Sequence, residues 1–299
     1  MRKQELLDHF TKNLNPRFRN WVGAEIETHF LDHKKNPIST GCSQKIFQGM
    51  TEKGWDVAMK KGNLITELRK GGTKLLYELG RQNIELATAA FDPGRLRQEV
   101  FPLLKELYGV AQTVGAHPYF GPIIETEENL LVVPDERDAS WLTLDGKDAL
   151  LPLARTASVQ FTIETRGPIH AIELLAALAE KRSSLLRVNP HPQEAFWRNY
   201  IATSKAGYRP DRYGIVIPES IERYVELLSS HDVAMNGKLT PFAEAEQPID
   251  LFLRSVWWIF RLRRYSDRLC IEIRTLARRD DEQIFNDYCR IIPLIIEFP

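Results

Sequence analysis

The chain has 299 residues, with 40 Lys and Arg balanced by 40 Asp and Glu for a net charge of zero. That balance argues against nucleic-acid binding as the main activity, which needs a basic surplus or patch. No apolar run reaches membrane-spanning length, residues 1–10 lack a secretory leader's apolar stretch, and Cys42, Cys270 and Cys289 are scattered like reduced thiols, so the expectation is a cytoplasmic protein with no membrane partner.

Residues 1–10 read as a charged amphipathic helix. The next segment, Trp21-Val22-Gly23-Ala24-Glu25-Ile26-Glu27-Thr28-His29-Phe30, alternates as a strand does. Glu25 and Glu27 share one face, and Val22, Ala24 and Ile26 share the other. Side-by-side carboxylates repel unless a positive group lies between them, and hard cations such as Mg²⁺ or Mn²⁺ prefer oxygen ligands. A strand with a solvated polar face gives the same pattern.

Residues 78–88 carry Glu78 and then Glu85 between Ile84 and Leu86, a strand with a bend at Gly80. Residues 94–113 have helical apolar spacing opened by Asp92-Pro93. Residues 155–164 alternate again, with Ser158, Gln160, Thr162 and Glu164 opposite Val159, Phe161 and Ile163. Residues 168–187 predict a helix, stopped before Asn189-Pro190. Residues 196–214 mix aromatics, three arginines and a lysine with Gly and Pro breaks, as in a loop able to close over anions. Helices are predicted over 218–229, over 248–265 (rich in Trp and Phe, with Pro248 at its start) and over about 280–292. Between the last two, Cys270, Glu272 and Arg274 share one strand face against Ile271 and Ile273.

The irregular order of helices and strands predicts an α+β fold, with helices packed on the apolar face of a sheet. Four predicted strands present a polar, mostly acidic face. Either that face is open to water or it lines a cavity holding metal and anionic substrate. A Glu and an Arg two apart on one strand face favour the second arrangement, because they aim an anion acceptor and a cation at one cleft.

Together these segments resemble the glutamate–cysteine ligase family, in particular its plant and proteobacterial branch. The resemblance is carried by Gly23, Glu25 and Glu27; by Glu78, Gly80, Gln82, Glu85 and Leu86; by Arg155, Thr156, Val159 and Gln160; and by Arg261, Leu262, Arg264 and Tyr265 followed by Glu272 and Arg274. The motifs fall in the family's order. There is one extra residue before Glu85, and the segment from Tyr265 to Glu272 is longer than in the plant form.

The resemblance implies a single catalytic domain over residues 1–299, in which a curved antiparallel sheet forms a half-barrel like that of glutamine synthetase and guanidino kinases. It implies an ATP- and Mg²⁺- (or Mn²⁺-) dependent ligase joining a glutamate-like acid to an amine through an acyl phosphate. Glu25, Glu27, Glu78, Glu85 and Glu272 would be metal ligands, with Glu27 and Arg274 catalytic. Gln160 would complete a metal shell or bind nucleotide phosphates, and Arg274 would contact the transferred phosphoryl group. Arg155, Arg198 and Arg212 would bind substrate. Two alternatives stand beside this: a phosphotransferase on the guanidino-kinase fold, and a ligase-like subunit that only binds. The sequence does not specify an oligomeric state.

Overall fold

The structure, a computed structural model, describes residues 2–293 apart from 133–135, 189–196, 198–199 and 203–206. Its strands are β1 (Val22–Leu31), β2 (Asp56–Lys61), β3 (Leu64–Lys70), β4 (Thr73–Tyr77), β5 (Asn83–Ala87), β6 (His117–Tyr119), β7 (Ser158–Glu164), β8 (Tyr213–Gly214), β9 (Val233–Met235), β10 (Lys238–Thr240), β11 (Trp257–Trp258), β12 (Phe260–Tyr265) and β13 (Arg268–Ala277). Among the described residues the main sheet has nine strands in the order β12-β13-β7-β1-β5-β4-β3-β2, with β6 also on β1. Every pairing in it is antiparallel. The protein is therefore α+β, with a large antiparallel sheet and many helices.

The alternation read from the sequence sorts the side chains by face. Val22, Ala24, Ile26 and Phe30 of β1 are buried together with Ile84 and Leu86 of β5, Val159, Phe161 and Ile163 of β7, and Ile271 and Ile273 of β13. The opposite face carries the carboxylates. Helices cover the apolar side: Pro168–Val188 lies against β12 and β13, and Asp281–Ile291 packs on it, placing Tyr288 edge-on to Phe161 at 5.0 Å between ring centres. Helices Thr40–Glu52 and Phe101–Thr113 cross so closely that a Cβ at Gly49 would lie 2.6 Å from Val110 Cγ1. Ser39, Ser220 and Asp280 cap their helices by accepting from backbone N–H groups within the first turn.

Three segments differ from expectation. The helix predicted over 94–113 is broken into a 3₁₀ turn at Pro93–Arg95, a short helix at Leu96–Glu99 and the main helix from Phe101. Pro102 has no N–H to donate and starts a new first turn. The helix predicted over 248–265 covers only Ile249–Leu253. Beyond it the run of Val256, Trp257, Trp258, Ile259 and Phe260 is β-branched and aromatic, which suits strands. There Arg261, Arg263 and Tyr265 alternate with Phe260 and Leu262 as β12. The strand predicted from Arg155 begins at Ser158, because Arg155 closes the helix Lys147–Ala154. β13 also carries a bulge: its pairing with β7 shifts between Ile273 and Leu276.

The segment read as an anion-closing loop is instead a pinned wall wherever it is described. Arg209 and Asp145, both fully buried, form an ion pair at 2.6 Å. Arg209 also donates to Tyr200 O at 3.1 Å and lies 4.0 Å from the centre of the Tyr200 ring. Around this pair Trp141, Leu150, Leu153, Tyr200, Tyr208 and Trp257 form a second, smaller apolar cluster. Breaking a buried pair leaves an uncompensated charge. Arg209→Ala should therefore lower stability by about 3–5 kcal/mol, measured by chemical denaturation.

Candidate active-site cleft

Strand register lays out the polar face in rungs. Gly23 pairs with Thr162, which pairs with Glu272, which pairs with Arg261. Glu25 lies opposite Gln160 on one side and Ala87 on the other. Glu27 lies opposite Glu85, which lies opposite Leu76. Glu25 and Glu27 of β1, Glu85 of β5 and Glu272 of β13 thus come together because antiparallel pairing, through β7, stacks the i, i+2 faces of these strands, and Glu78 follows directly on the end of β4. A cleft of about 280 Å³ runs over them, bordered by Glu25, Glu27, Glu78, Glu85, Gln160, Glu272 and Arg274. A second chamber of about 420 Å³ adjoins it and shares Glu25, Leu76, Glu85, Arg254, Arg263 and Tyr265 as a common wall.

The expected ligands fall into two groups. Glu27, Glu78 and Glu85 each offer a carboxylate oxygen, all within 4.8 Å of one another. Glu27 accepts from Ser158 N at 2.9 Å, Ser158 Oγ at 2.7 Å and Asn83 Nδ2 at 3.4 Å. Even so, burial and then the charge of Glu78 push it up to about 8. Burial, followed by Glu25, Glu78 and Glu27, pushes Glu85 well above the ordinary carboxylate range. Three hard oxygen donors that cannot all ionise without a positive partner fit a divalent cation such as Mg²⁺ or Mn²⁺.

Glu25 and Glu272 belong to the second group, set among arginines. Glu272 accepts from Arg261 Nε at 2.9 Å and Nη2 at 2.5 Å, and from Tyr265 Oη at 2.8 Å. Burial alone would raise it, but Arg261, Arg263 and Arg274 overcome that and hold it at about 2. Burial and the neighbouring Glu272 raise Glu25 to about 7. Arg274 donates through Nε to Gln160 Oε1 at 3.1 Å and through Nη1 to Val256 O at 3.0 Å. The Gln160 amide oxygen therefore faces a guanidinium and is not turned toward the three-glutamate group. Arg263 lies 3.7 Å from Glu272 Oε1, and its buried Nε has no hydrogen-bond partner.

Arg155 and Arg212 are not among the residues bordering the cleft. Arg155 reaches toward Glu127 at 4.0 Å. Arg212 is buried, donating to Ser255 Oγ at 3.2 Å and to Asp232 O. Arg198 lies outside the described residues. His29 is fully buried; its Nε2–H donates to Arg155 O at 3.1 Å and its Nδ1 accepts from Gln82 at 3.2 Å. Burial lowers it to about 3, so it is a neutral brace beneath the site. Arg264, matched by the sequence motif, points away and donates to the carbonyls of His9, Lys12 and Asn13 at the end of the first helix. Arg254, Arg263 and the indoles of Trp141, Trp197 and Trp257 border the cleft and were not singled out from sequence. Reading Arg261, Arg263 and Tyr265 with a period of two, not as a helix, would have found Arg263.

No protein-family model matches the sequence, and no curated protein matches it significantly. Among solved structures, a bifunctional glutathione synthetase from Pasteurella multocida superposes with a TM-score of 0.50 at 11% identity, over 98% of this chain and 43% of that one. A glutamate–cysteine ligase from Francisella tularensis, solved in complex with AMP, gives a TM-score of 0.47 at 12% identity, over 90% of this chain and 62% of that one. The chain resembles the Pasteurella protein in fold. It spans less than two-thirds of the length of either. At such identity the likeness is one of architecture.

Glu25, Glu27 and Glu85 bind protons more tightly folded than unfolded, since their folded pKa values lie above the ordinary 4.5 of a free carboxylate. Their contribution is fully present below about pH 4.5 and is lost as pH rises toward 8. Metal-free protein should accordingly lose thermal stability between about pH 5 and 8. Added Mg²⁺ or Mn²⁺ should restore it, more at pH 8 than at pH 6. Melting curves with and without a chelator check this, and a metal effect independent of pH would contradict it.

Proposed function

We propose that the cleft is the active site of an ATP-dependent carboxylate–amine ligase similar in chemistry to glutamate–cysteine ligases. The observation that carries this reading is the three-glutamate group Glu27, Glu78 and Glu85 beside the Arg261–Glu272–Arg263–Arg274 cluster on one face of one sheet. In this reading the polar face curves as a half-barrel around the substrates, and residues 1–299 act as one catalytic domain.

Phosphoryl transfer needs in-line placement and cancelled charge more than covalent help. Glu27, Glu78 and Glu85, with Glu25 at their border, would hold Mg²⁺ or Mn²⁺, which neutralises phosphate oxygens when bound. Arg274 stays a cation at neutral pH, although burial lowers it to about 10. Tethered by Gln160 and Val256 O, it is aimed at the transferring phosphoryl group. Arg263, held 3.7 Å from Glu272, adds positive charge beside it.

The substrate carboxylate oxygen attacks the γ-phosphorus, the bond to the β–γ bridging oxygen breaks, and ADP leaves. The amine nitrogen then attacks the acyl carbon of the acyl phosphate, and phosphate leaves with the amine proton. Arg155 and Arg212 have no part in these steps, because neither borders the cleft. In this reading the nucleotide base would occupy the 420 Å³ chamber, whose lining includes the small residues Gly23 and Ala87.

Two measurements test the reading. Phosphate release from Mg-ATP is assayed over amino acids and amines, singly and in pairs. Release should require one acid and one amine together and should fall about 100-fold or more in Glu27→Gln, the scale of several kcal/mol of lost charge stabilisation. Release with an acceptor phosphorylated and no amide formed would indicate a phosphotransferase. A Cβ at Gly23 meets nothing closer than Thr162 Cβ at 3.8 Å, so Gly23→Val fits the strand but raises the chamber floor. It should weaken ATP binding by about tenfold with the melting temperature of the ligand-free protein retained.

A further inference from the structure

Glu27 is held on both of its carboxylate oxygens. Oε2 accepts from the Ser158 N–H at 2.9 Å and from Asn83 Nδ2 at 3.4 Å, and Oε1 accepts from Ser158 Oγ at 2.7 Å. Strand register puts these donors there. The β1–β7 ladder runs out to Ile26 and Val159, and the next N–H on β7, that of Ser158, is given to the Glu27 side chain. Asn83 comes from the strand on the other side, opposite His29 on β5. It is almost fully buried, and its amide also donates to Thr156 O at 2.9 Å. Two acceptors on the same nitrogen fix which way the amide faces.

A carboxylate offers about four acceptor positions, two on each oxygen. In Glu27 both positions on Oε2 and one on Oε1 are taken. The position left, on Oε1, suits a cation shared with Glu78 and Glu85, each of the three glutamates giving one oxygen. Ser158 and Glu27 both border the cleft, and Asn83 braces them from the buried side. Cations differ in what they ask of a carboxylate. Ca²⁺ takes about six to eight oxygens in a flexible shell and often both oxygens of one carboxylate, whereas Mg²⁺ and Mn²⁺ suit an octahedral shell of single oxygens.

We propose that Ser158, braced by Asn83, is a positioning residue that confines Glu27 to ligation through one oxygen, so that the three-glutamate group takes Mg²⁺ or Mn²⁺ and discriminates against Ca²⁺. The cation itself comes from the ligase reading, but the discrimination is measured without turnover. Without the Ser158 hydroxyl, Glu27 is held through Oε2 alone and its carboxylate is free to turn toward a larger ion. Hydrogen-bond partners behind metal ligands typically account for about 10–100-fold in metal affinity.

The test is Mn²⁺ binding to the full chain at about pH 8, followed by the paramagnetic signal of the free ion, with Ca²⁺ as competitor. Ser158→Ala and Ser158→Thr are compared, and the melting temperature of each metal-free variant is recorded. The full chain should bind Mn²⁺ at least about tenfold more tightly than Ca²⁺. In Ser158→Ala, Mn²⁺ affinity should fall about 10–100-fold and Ca²⁺ affinity much less, so that their ratio drops about tenfold or more. Ser158→Thr keeps the hydroxyl and should hold both affinities near those of the full chain. A general loosening of the fold would weaken both ions together and leave the ratio where it was. An unchanged ratio in Ser158→Ala, equal losses in Ser158→Thr, no preference for Mn²⁺ in the full chain, or no Mn²⁺ binding at all would each overturn the proposal. If the ratio moves as expected but no acid and amine pair consumes ATP, the ligase reading fails and the Ser158 clamp stands. If ATP is consumed and the ratio does not move, the clamp fails and the ligase reading stands.

Discussion

The pairing of Glu27 with Glu85 across β1 and β5 is the constraint around which the site is organised. Like charges directly opposite on adjacent strands are unfavourable. The apolar faces of the same strands leave the pair no way to separate. Sliding β1 by one residue would turn Ile26 and Phe30 out of the core and the glutamates into it. The sheet's hydrophobic side thus enforces repulsion on its polar side. That repulsion is what a divalent cation would relieve, so the affinity for any cation held here would be set by packing on the opposite face as much as by the ligands.

A second group answers the same problem differently. Glu272 is kept ionised by arginines contributed from its own hairpin, Arg261 and Arg263 on β12 and Arg274 on β13. One end of the polar face therefore has fixed counter-charges, and at the other Glu27 accepts from backbone, hydroxyl and amide donors. A triphosphate and a metal ion make complementary demands. One needs built-in cations and the other needs bare oxygens, and both are within reach of Glu25.

Much of this was legible in the sequence because strands with one buried face leave a period-two signature. Glu25 and Glu27, Ser158 and Gln160, and Glu272 and Arg274 could be placed on a common face from alternation alone, and the bend at Gly80 was marked by its glycine. What alternation cannot show is partnership across strands. Nothing in the sequence says that Glu272 is saturated by Arg261 and Tyr265, or that Gln160 turns its carbonyl to Arg274. The misread segment, 248–265, failed for a physical reason: Trp and Phe satisfy the apolar stripe of a helix and the buried face of a strand equally well. Arg209 and Arg212 misled in the opposite sense. Arginines in a Gly- and Pro-broken stretch look solvent-seeking until a buried Asp145 or a backbone carbonyl is seen to hold them.

The bulge in β13 reaches well beyond its own residues. Before it, Glu272 and Arg274 face the cleft and Ile271 and Ile273 the core. After it, Leu276 pairs with Val159 on the core side. The same shift delivers Arg278 to Thr28 Oγ1 at 3.2 Å, Tyr108 Oη at 2.7 Å and Asp281 at 2.9 Å, on the helical side of the sheet. A single inserted residue thus lets one strand serve two compartments, with one arginine for chemistry and another tying the strand to the helices behind it. Loss or gain of one residue between 273 and 276 would bring the two arginines onto the same face of the sheet. In a lineage of such chains, length at this point should be held more tightly than the identity of the residues that fill it.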